Sequence, residues 1–277
     1  MNATGLALSA ARRAADGLLA VLVAPRCAAC GHLLDTPTSG PVCDACWAAV
    51  RPLTPPVCEV CGDALPSWRS VSLRASACAR CRRGARTITR SRAVGAHEGA
   101  LRTIIHALKY DRRRSIAPRL AVLIRNAGVD VLSGSDCAVP VPLHWRRRRS
   151  RGFNQAADLA AHLGLPVCHV LRRRRWTRPQ VDLPASRRHG NVKDAFAMAR
   201  PRWPWRSRKE ALRAVRDRCV VLVDDVSTTG ATLEACARVL KAAGAREIRA
   251  LTVARVAPTR STGPPPPRPA SAARRQS

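Results

Sequence analysis

Hydrophobic residues change their spacing repeatedly from about residue 92 onward, and this alternation predicts the elements of one domain. Short apolar runs, typical of buried strands, cover 92–97, 137–143, 166–171, 220–223 and 247–256. Apolar residues at helical intervals cover 98–110, 116–128, 153–164 and 233–243, and Gly244 is placed to end the last helix. Strands that alternate with helices predict an α/β fold, in which a doubly wound parallel sheet carries helices on both faces.

The pattern weakens outside these elements. Residues 172–198 are irregular and rich in arginine, and 207–218 predict a surface helix. The stretch 258–277 is basic and rich in proline, which predicts a disordered tail. We therefore expect the sheet domain to span 90–257.

Residues 1–26 predict an N-terminal helix. Its apolar stretch, Gly17 to Pro25, is too short to cross a bilayer, so we expect no membrane span. The stretch imitates the core of a signal peptide, but Asp16 precedes it and cysteines follow at once. We prefer a short amphipathic helix that lies on the folded protein, and we expect a cytoplasmic location.

Eight of the twelve cysteines form four C-x-x-C pairs, separated by twelve, eleven and sixteen residues. This is the spacing of zinc ribbons, in which two knuckles with two thiolates each complete a tetrahedron around one ion. A segment with so few large apolar side chains cannot form a core alone, and zinc ligation would hold it together. We expect a double zinc ribbon over 27–85 with one or two structural Zn²⁺. The expected ligands are Cys27, Cys30, Cys43, Cys46, Cys58, Cys61, Cys78 and Cys81.

We favour sequential pairing of these motifs, the first with the second and the third with the fourth. An interleaved cross-brace stays open at this point, as does a disulfide framework, although a convincing secretion signal is missing. Redox motifs are a weaker alternative, because no thioredoxin-like strand precedes the cysteine pairs. The other four cysteines fall in strand or helix patterns and are expected in the core: Cys137, Cys168, Cys219 and Cys236.

The chain is strongly basic, with 49 Lys and Arg against 18 Asp and Glu and a formal net charge of +31. Such a charge attracts polyanions, so we expect nucleic-acid affinity at low salt. Aromatic residues are scarce, with six Trp, one Tyr and two Phe, so a base-stacking platform of the single-strand-binding kind is poorly supplied.

The stretch "VVLVDDVSTTGAT", Val220 to Thr232, combines a buried strand, two adjacent acids and a turn of hydroxyls and glycine. Ligands of open α/β sheets bind at the carboxyl ends of the strands, where Asp224 and Asp225 fall. Because buried paired charges are costly, we interpret the acids as ligand contacts. The turn offers backbone N–H groups and a helix N-terminus to a phosphate, and it lacks the lysine of a Walker A loop. A ribose 5-phosphate has the layout of a phosphate beside hydroxyls.

The same stretch resembles the signature of type I phosphoribosyltransferases. The resemblance implies that phosphoribosyl pyrophosphate binds together with Mg²⁺, that the acidic pair contacts the ribose hydroxyls, and that the following loop holds the 5-phosphate. The implied contacts to phosphoribosyl pyrophosphate are Asp224, Asp225, Ser227, Thr228, Thr229, Gly230, Ala231 and Thr232.

A second stretch, "VPVPLHWRRRRSRGFNQ", resembles the ComF family of competence-associated and GntX-like proteins, which carry N-terminal cysteine knuckles on a phosphoribosyltransferase-like domain. Guanidinium groups after a strand can hold a pyrophosphate bidentately. The expected pyrophosphate contacts are Arg147, Arg151, Gly152, Asn154, Gln155 and Lys109, which precedes Tyr110 in a family L-K-Y element. A third family spacing falls on Thr177, Gln180, Leu183, Arg188, Asn191 and Phe196, while Gly190 and an insertion at 200–218 depart from the family.

The resemblance implies a protein linked to DNA uptake that binds phosphoribosyl pyrophosphate or a related ribose phosphate. It also implies possible transfer of the phosphoribosyl group to an acceptor. The sequence reveals no general base and no acceptor site, so catalytic residues stay unassigned. The alternative is a non-catalytic ligand sensor that binds single-stranded DNA or a DNA-uptake helicase. A receiver or phosphatase that uses the acidic pair for Mg²⁺ is a weaker third interpretation, because such proteins are expected to place a key aspartate near the start of the chain.

Overall fold

A computed structural model describes residues 3–65, 76–84, 86–174, 195–199 and 208–256. The predicted tail at 258–277 lies outside these ranges. So do five positions of the third family spacing, Thr177, Gln180, Leu183, Arg188 and Asn191, together with Gly190.

A parallel four-stranded sheet forms the centre of the larger domain. Its strands are β1 (Arg90–Ala96), β2 (Cys137–Pro140), β5 (Cys219–Ser227) and β6 (Glu247–Arg255), in the order β1-β6-β5-β2. Two further strands, β3 (Leu171–Arg173) and β4 (Phe196–Met198), form a separate antiparallel pair.

Helices flank the sheet and precede it. Their bounds are α1 (Ala3–Leu22), α2 (Asp44–Ala48), α3 (Ala79–Arg82), α4 (Gly99–Tyr110), α5 (Ala117–Ala127), α6 (Val129–Leu132), α7 (Trp145–Arg151), α8 (Gln155–Ala160), α9 (Arg208–Arg213) and α10 (Ala231–Ala242). Among the described ranges, the chain forms no helix with the length and apolar character needed to cross a membrane.

Alternation along β5 divides the core between the two faces of the sheet. Val221 and Val223 pack into the cluster formed by α4, α5 and α8, whereas Val220 and Leu222 pack into the cluster formed by α10. Burying one large apolar side chain stabilises a fold by roughly 1.5–3 kcal/mol, so each face contributes substantially. The expected sheet with helices on both faces is therefore confirmed.

Two predicted strands differ from those observed by more than their end residues. β5 continues to Ser227 instead of ending at residue 223, because its pairing with β6 persists to Arg255, and both aspartates therefore lie within the strand. The segment 166–171 touches β2 through one parallel bridge between Ala138 and Val167. It then leaves the sheet, and Leu171 begins the antiparallel pair.

The N-terminal helix is longer than its apolar stretch and is held by polar contacts. Arg12 donates to the Thr38 hydroxyl at 3.0 Å, and Asp16 accepts from the Thr38 backbone N–H at 2.8 Å. The apolar end expected to lie on the protein stays exposed, with 62% of Leu18 and 82% of Val21 accessible.

The cysteine module is a structural repeat of two ribbons. In each first knuckle a glycine N–H donates to the first cysteine carbonyl, Gly31 to Cys27 at 2.9 Å and Gly62 to Cys58 at 2.8 Å. In each ribbon a short helix, α2 or α3, begins directly after the third cysteine. Because each ribbon is complete in itself, the thiols group sequentially, and the interleaved alternative does not apply.

The space around Gly31 and Gly62 shows that the second ribbon packs more closely on the larger domain than the first. Both have left-handed backbones, with φ of 78° and 71°, but a Cβ on Gly62 would lie 2.6 Å from the Ser91 carbonyl oxygen, whereas one on Gly31 meets nothing within 4 Å. We expect Gly31→Ala to cost about 1 kcal/mol of unfolding free energy and Gly62→Ala about 3 kcal/mol, because only the second adds a clash.

Metal analysis of the reduced proteins provides the second measurement. We expect about two Zn²⁺ per chain in the wild type and in both variants. During titration with a competing chelator, Gly62→Ala should lose one Zn²⁺ earlier than the wild type or Gly31→Ala, because a cost of about 3 kcal/mol weakens a structural zinc site without emptying it. Equal losses in both variants would contradict the packing argument. A wild type without zinc, with its thiols in disulfides, would contradict the assignment of the module.

Candidate functional site

The two adjacent acids of β5 project from opposite faces of the sheet, as successive strand residues do. Asp225 lies on the face of α4, where its carboxylate pairs with the Lys109 ammonium at 2.9 Å. Asp224 lies on the face of α10, and its charge contributes to raising the pKa of the Cys236 thiol, after burial as the main cause. The backbone N–H of Asp225 also donates to the Asp224 carboxylate at 2.9 Å. The two carboxylates therefore lie on opposite faces of the sheet at the same strand end, Asp225 near α4 and Asp224 near α10.

Asp225 and Lys109 neutralise one another in a largely covered site, with 13% and 16% of their side chains exposed. His97 directly follows β1, and the charges of Lys109 and Asp225 both influence its pKa. Burial and then the charge of Lys109 lower the pKa of His97, while Asp225 opposes this. Both lowering effects favour the neutral form of the His97 imidazole.

The negative charge of Asp224 is compensated less by nearby cations than that of Asp225. Burial and the neighbouring charge of Asp225 raise its pKa to about 7, against smaller opposing effects of Lys109 and Arg173. Arg173 belongs to β3, and its guanidinium lies 5.3 Å from the centre of the Phe196 ring. Burial and the like charge of Arg147 lower the pKa of Arg173. A carboxylate that is costly to ionise without a partner is suited to accept hydrogen bonds from a ligand.

The loop after β5 forms a hollow at the start of α10. Gly230 is the N-cap of this twelve-residue helix and has a left-handed backbone, with φ 78° and ψ 1°. An L-residue would be strained in that conformation, so the turn requires glycine. The Thr229 hydroxyl accepts from the Ala231 N–H at 3.4 Å. The hollow is lined by Asp224, Val226, Ser227, Thr228, Gly230, Thr232 and Leu233.

The R-G-F-N-Q turn is attached to the carboxyl end of β2, next to β5. The Val141 N–H donates to the Val223 carbonyl at 2.9 Å, and the Asn154 amide donates to the Val141 carbonyl at 3.1 Å. Asn154 also caps α8 by accepting from the Ala156 N–H at 3.2 Å. Its side chain is thus used to fix the turn beside the acidic strand.

Two separate sequence elements meet at this turn. The Arg151 guanidinium lies 4.8 Å from the centre of the Tyr110 ring, next to Lys109, and donates to the Gln155 side-chain oxygen at 3.3 Å. Gln155 is buried, and its amide nitrogen lacks a hydrogen bond among the described residues. Gly152 has a φ of 81° and turns the chain between α7 and α8.

The structure thus gathers the predicted residues into two groups around the strand end. Asp224, Ser227, Thr228, Gly230 and Thr232 share the hollow, with Thr229 and Ala231 in its turn. Asp225, Lys109, Arg151, Gly152, Asn154 and Gln155 lie outside the hollow's described lining, and Arg147 lies near Arg173.

Sequence reasoning missed His97 and Arg173. His97 could have been found, because it ends a predicted strand of the same parallel sheet and so lies at the same edge. Arg173 stands in a run of four arginines, 172–175, and nothing in the run distinguishes it.

Each cysteine cluster fits one zinc ion. Four sulfurs at the usual Zn–S distance of a tetrahedral site are about 3.8 Å apart. The Sγ atoms of Cys27 and Cys46 are 3.9 Å apart, those of Cys30 and Cys43 3.8 Å, and those of Cys61 and Cys78 3.6 Å. In both clusters all four sulfurs lie within 4.8 Å of one another. The module therefore has the donor set of two structural zinc sites.

Because the pKa of Asp224 is raised, we expect the unfolding free energy of the protein to depend on pH. Ionising this group costs more in the folded than in the unfolded chain, so its contribution to stability is full below pH 3.8 and is lost as pH rises through about 7. Asp224→Asn removes that dependence. We expect its unfolding free energy, relative to wild type, to rise by about 2 kcal/mol between pH 5.5 and pH 8.5.

Denaturant unfolding at a series of pH values measures this difference. Asp217→Asn is the matched control, because Asp217 lies at the opposite end of β5 and is 88% exposed. A difference for Asp224→Asn that stays constant with pH would show that this carboxyl titrates normally.

Comparison with known proteins agrees with this architecture. Residues 149–267 match the family described as "Phosphoribosyl transferase domain", and residues 18–82 match "Double zinc ribbon domain". Competence protein F of Haemophilus influenzae is 28% identical, covering 83% of this chain and 96% of its own. The DNA utilization protein YhgH of Escherichia coli K12 is 31% identical, covering 75% of this chain and 87% of its own.

A solved allosteric regulatory enzyme of purine biosynthesis is 18% identical, at a TM-score of 0.31, over 50% of this chain and 25% of its own. That likeness is too distant to add to the argument. The two sequence domains and the extended similarity to YhgH suffice: the chain belongs to the ComF family, with a double zinc ribbon ahead of a phosphoribosyltransferase domain.

Proposed function

We propose that this protein binds phosphoribosyl pyrophosphate, together with Mg²⁺, at the carboxyl end of β5. The observation that carries the proposal is the hollow in which Asp224 and the N-terminus of α10 face the same space. Backbone N–H groups at a helix N-terminus favour a phosphate, and a carboxylate accepts hydrogen bonds from ribose hydroxyls. The phosphate of a ribose 5-phosphate would contact the N-terminus of α10, and its hydroxyls would donate to Asp224.

The surrounding cations support a ligand with more than one phosphate. Lys109, Arg147, Arg151 and Arg173 lie around the strand end, against the carboxylates of Asp224 and Asp225. The excess of positive charge favours a pyrophosphate group, which guanidinium groups bind bidentately. When bound, Mg²⁺ would neutralise further charge on that group.

In this proposal each residue of the chain has a separate task. Gly230 lets the backbone approach the 5-phosphate, and Asp224 orients the sugar by accepting from a hydroxyl. Asp225 keeps Lys109 fixed at the edge of the site, which positions the ammonium for the anionic ligand. Transfer of the phosphoribosyl group additionally needs an acceptor, and His97, which follows β1 at this edge of the sheet and favours the neutral form, is a candidate base.

Calorimetry with phosphoribosyl pyrophosphate and Mg²⁺ tests the proposal. We expect binding and a raised melting temperature, since a ligand at a hundredfold excess over its Kd stabilises the native state by about 2.7 kcal/mol. Asp224→Asn combined with Asp225→Asn should abolish both effects, whereas Asp217→Asn should leave them unchanged. No binding by the wild type across Mg²⁺ concentration and pH would overturn the proposal.

The same experiment separates an enzyme from a sensor. Release of pyrophosphate after addition of a candidate acceptor identifies a transferase, while binding without turnover over a broad set of acceptors identifies a sensor.

A second candidate function, binding of single-stranded DNA, is supported by the surface beside the site. Tyr110 and Trp145 are 58% and 60% exposed, and Arg151 stacks on Tyr110. Arg112 lies on the same surface and donates to the Ser150 carbonyl at 3.1 Å. Exposed aromatics among arginines suit stacked bases and backbone phosphates. The names of the relatives, which concern competence and DNA utilization, point in the same direction.

Fluorescence anisotropy with a labelled oligothymidine tests this function. We expect salt-sensitive binding that weakens about tenfold or more when Tyr110→Ala and Trp145→Ala are combined, because base stacking is lost. Val129→Ala is the control, because Val129 is 66% exposed but lies among the residues that precede β2, at the other end of the sheet. Equal binding by the double variant and the control would contradict this assignment of the surface.

A further inference from the structure

The second zinc ribbon packs against the ends of β5 and β6 and against the loop of residues 227–233, which we call the phosphate loop. Arg255, the last residue of β6, is buried, and its guanidinium donates to the carbonyl of the zinc-ligand candidate Cys61 at 2.8 Å. The same guanidinium pairs with the Asp63 carboxylate. Asp63 also pairs at 2.9 Å with Arg80, which stands between Cys78 and Cys81. Both knuckles of this ribbon are therefore connected to Arg255 through Asp63.

Arg255 in turn is connected to the start of the loop. It is the in-register partner of Ser227, the last residue of β5, and the Val256 N–H donates to the Ser227 carbonyl at 2.9 Å. Ser227 is buried, and its hydroxyl lacks a hydrogen bond among the described residues. A Cβ on Gly230 would lie 4.0 Å from that hydroxyl. The ion pair at Asp63 thus lies one strand away from the left-handed turn.

A small cavity lies where the ribbon meets the loop. Val60 and Cys61 of the knuckle line it together with Ser227, Gly230, Leu233 and Arg255. The knuckle forms one wall and the phosphate loop forms another, so a displacement of the knuckle removes support from the loop.

The knuckle is also fixed to the neighbouring strand. The Ser91 N–H donates to the Val60 carbonyl at 2.8 Å, and the Arg92 guanidinium donates to the Glu59 carbonyl at 2.9 Å. Gly62 packs so closely on Ser91 that a Cβ would collide with it. These contacts attach the knuckle to β1, next to its attachment to β6 through Arg255.

The first ribbon provides a comparison within the same chain. Its Asp44 carboxylate pairs with Arg119 at 2.9 Å, but Arg119 belongs to α5, and the cavity's described lining contains no residue of this ribbon. Each ribbon therefore has an aspartate paired with an arginine of the larger domain. Asp44 pairs with a residue of α5, whereas Asp63 pairs with Arg255 of β6, the strand that pairs with β5.

We propose that Asp63 and Arg255 are positioning residues for the phosphate loop, through which the folded, metal-loaded second ribbon sets the geometry of residues 227–233. Loss of metal from Cys58, Cys61, Cys78 and Cys81 frees Asp63 from Arg255. The buried guanidinium then loses its counter-charge, the ends of β5 and β6 rearrange, and the anion site opens. Loss of metal from the first ribbon leaves this connection intact. The part of the inference that concerns ligand affinity rests on the proposed binding of phosphoribosyl pyrophosphate.

Asp63→Asn and Asp44→Asn form the matched test in the full-length, zinc-loaded protein. Both keep all eight cysteines, so zinc content should equal that of the wild type. Hydrogen exchange of the amides at 227–233 should accelerate at least about tenfold in Asp63→Asn and stay unchanged in Asp44→Asn. Calorimetry with phosphoribosyl pyrophosphate and Mg²⁺ should show about tenfold weaker binding for Asp63→Asn alone.

Arg255→Lys supplies a further readout that a merely structural role would not move. Lysine keeps the charge next to Asp63, but its single ammonium replaces a planar guanidinium that pairs with Asp63 while its Nη1–H donates to the Cys61 carbonyl. We expect an intermediate affinity at unchanged zinc content. Equal exchange rates at 227–233 in all three variants and the wild type would overturn the inference. If the wild type binds no phosphoribosyl pyrophosphate, the proposed function fails, and the exchange rates still decide the connection between ribbon and loop.

Discussion

The parallel pairing of β5 with β6 is the constraint on which the rest of the structure depends. Because the ladder continues from Cys219 to Ser227, it carries two aspartates to the carboxyl edge of the sheet within a regular strand. Strand alternation then sends Asp225 toward Lys109 and Asp224 toward Arg173. The same ladder places Ser227 opposite Arg255, where the zinc module attaches.

Charge at this edge is distributed unevenly, and the unevenness has a chemical consequence. Asp225 has a direct partner at 2.9 Å, whereas Asp224 is covered without equivalent compensation and has a pKa of about 7. A fold with no ligand at this position would gain stability from an apolar residue in place of Asp224. Retaining an acid in that environment, beside a left-handed glycine and a helix N-terminus, is consistent with a site built around a phosphorylated sugar.

The cysteine module is attached to the larger domain by ion pairs of both ribbons. Its ribbons repeat the same hydrogen bonds, yet their attachments differ. The first contacts α5 through Asp44, whereas the second contacts Arg255, at the end of β6, through Asp63 and Cys61. A buried arginine whose counter-charge comes from another module couples the two modules energetically, because neither can move without exposing or isolating a charge.

The sequence by itself determined the α/β class, the four C-x-x-C pairs and the strand–turn–helix around Gly230, because apolar periodicity, cysteine spacing and the adjacent acids before a glycine turn are local patterns. Which cysteine pairs share a cluster was decided by the tertiary structure, since it depends on how the knuckles fold together. Only the tertiary structure decided the partners of these groups. Lys109 and Asp225 are 116 positions apart and Cys61 and Arg255 are 194 apart, and no local pattern connects residues at such separations. Tertiary structure also decided the positions of His97 and Arg173. The order of the parallel strands places His97, and the antiparallel pair of β3 and β4 places Arg173. The site is formed by long-range packing, which the chain's local pattern permits but does not specify.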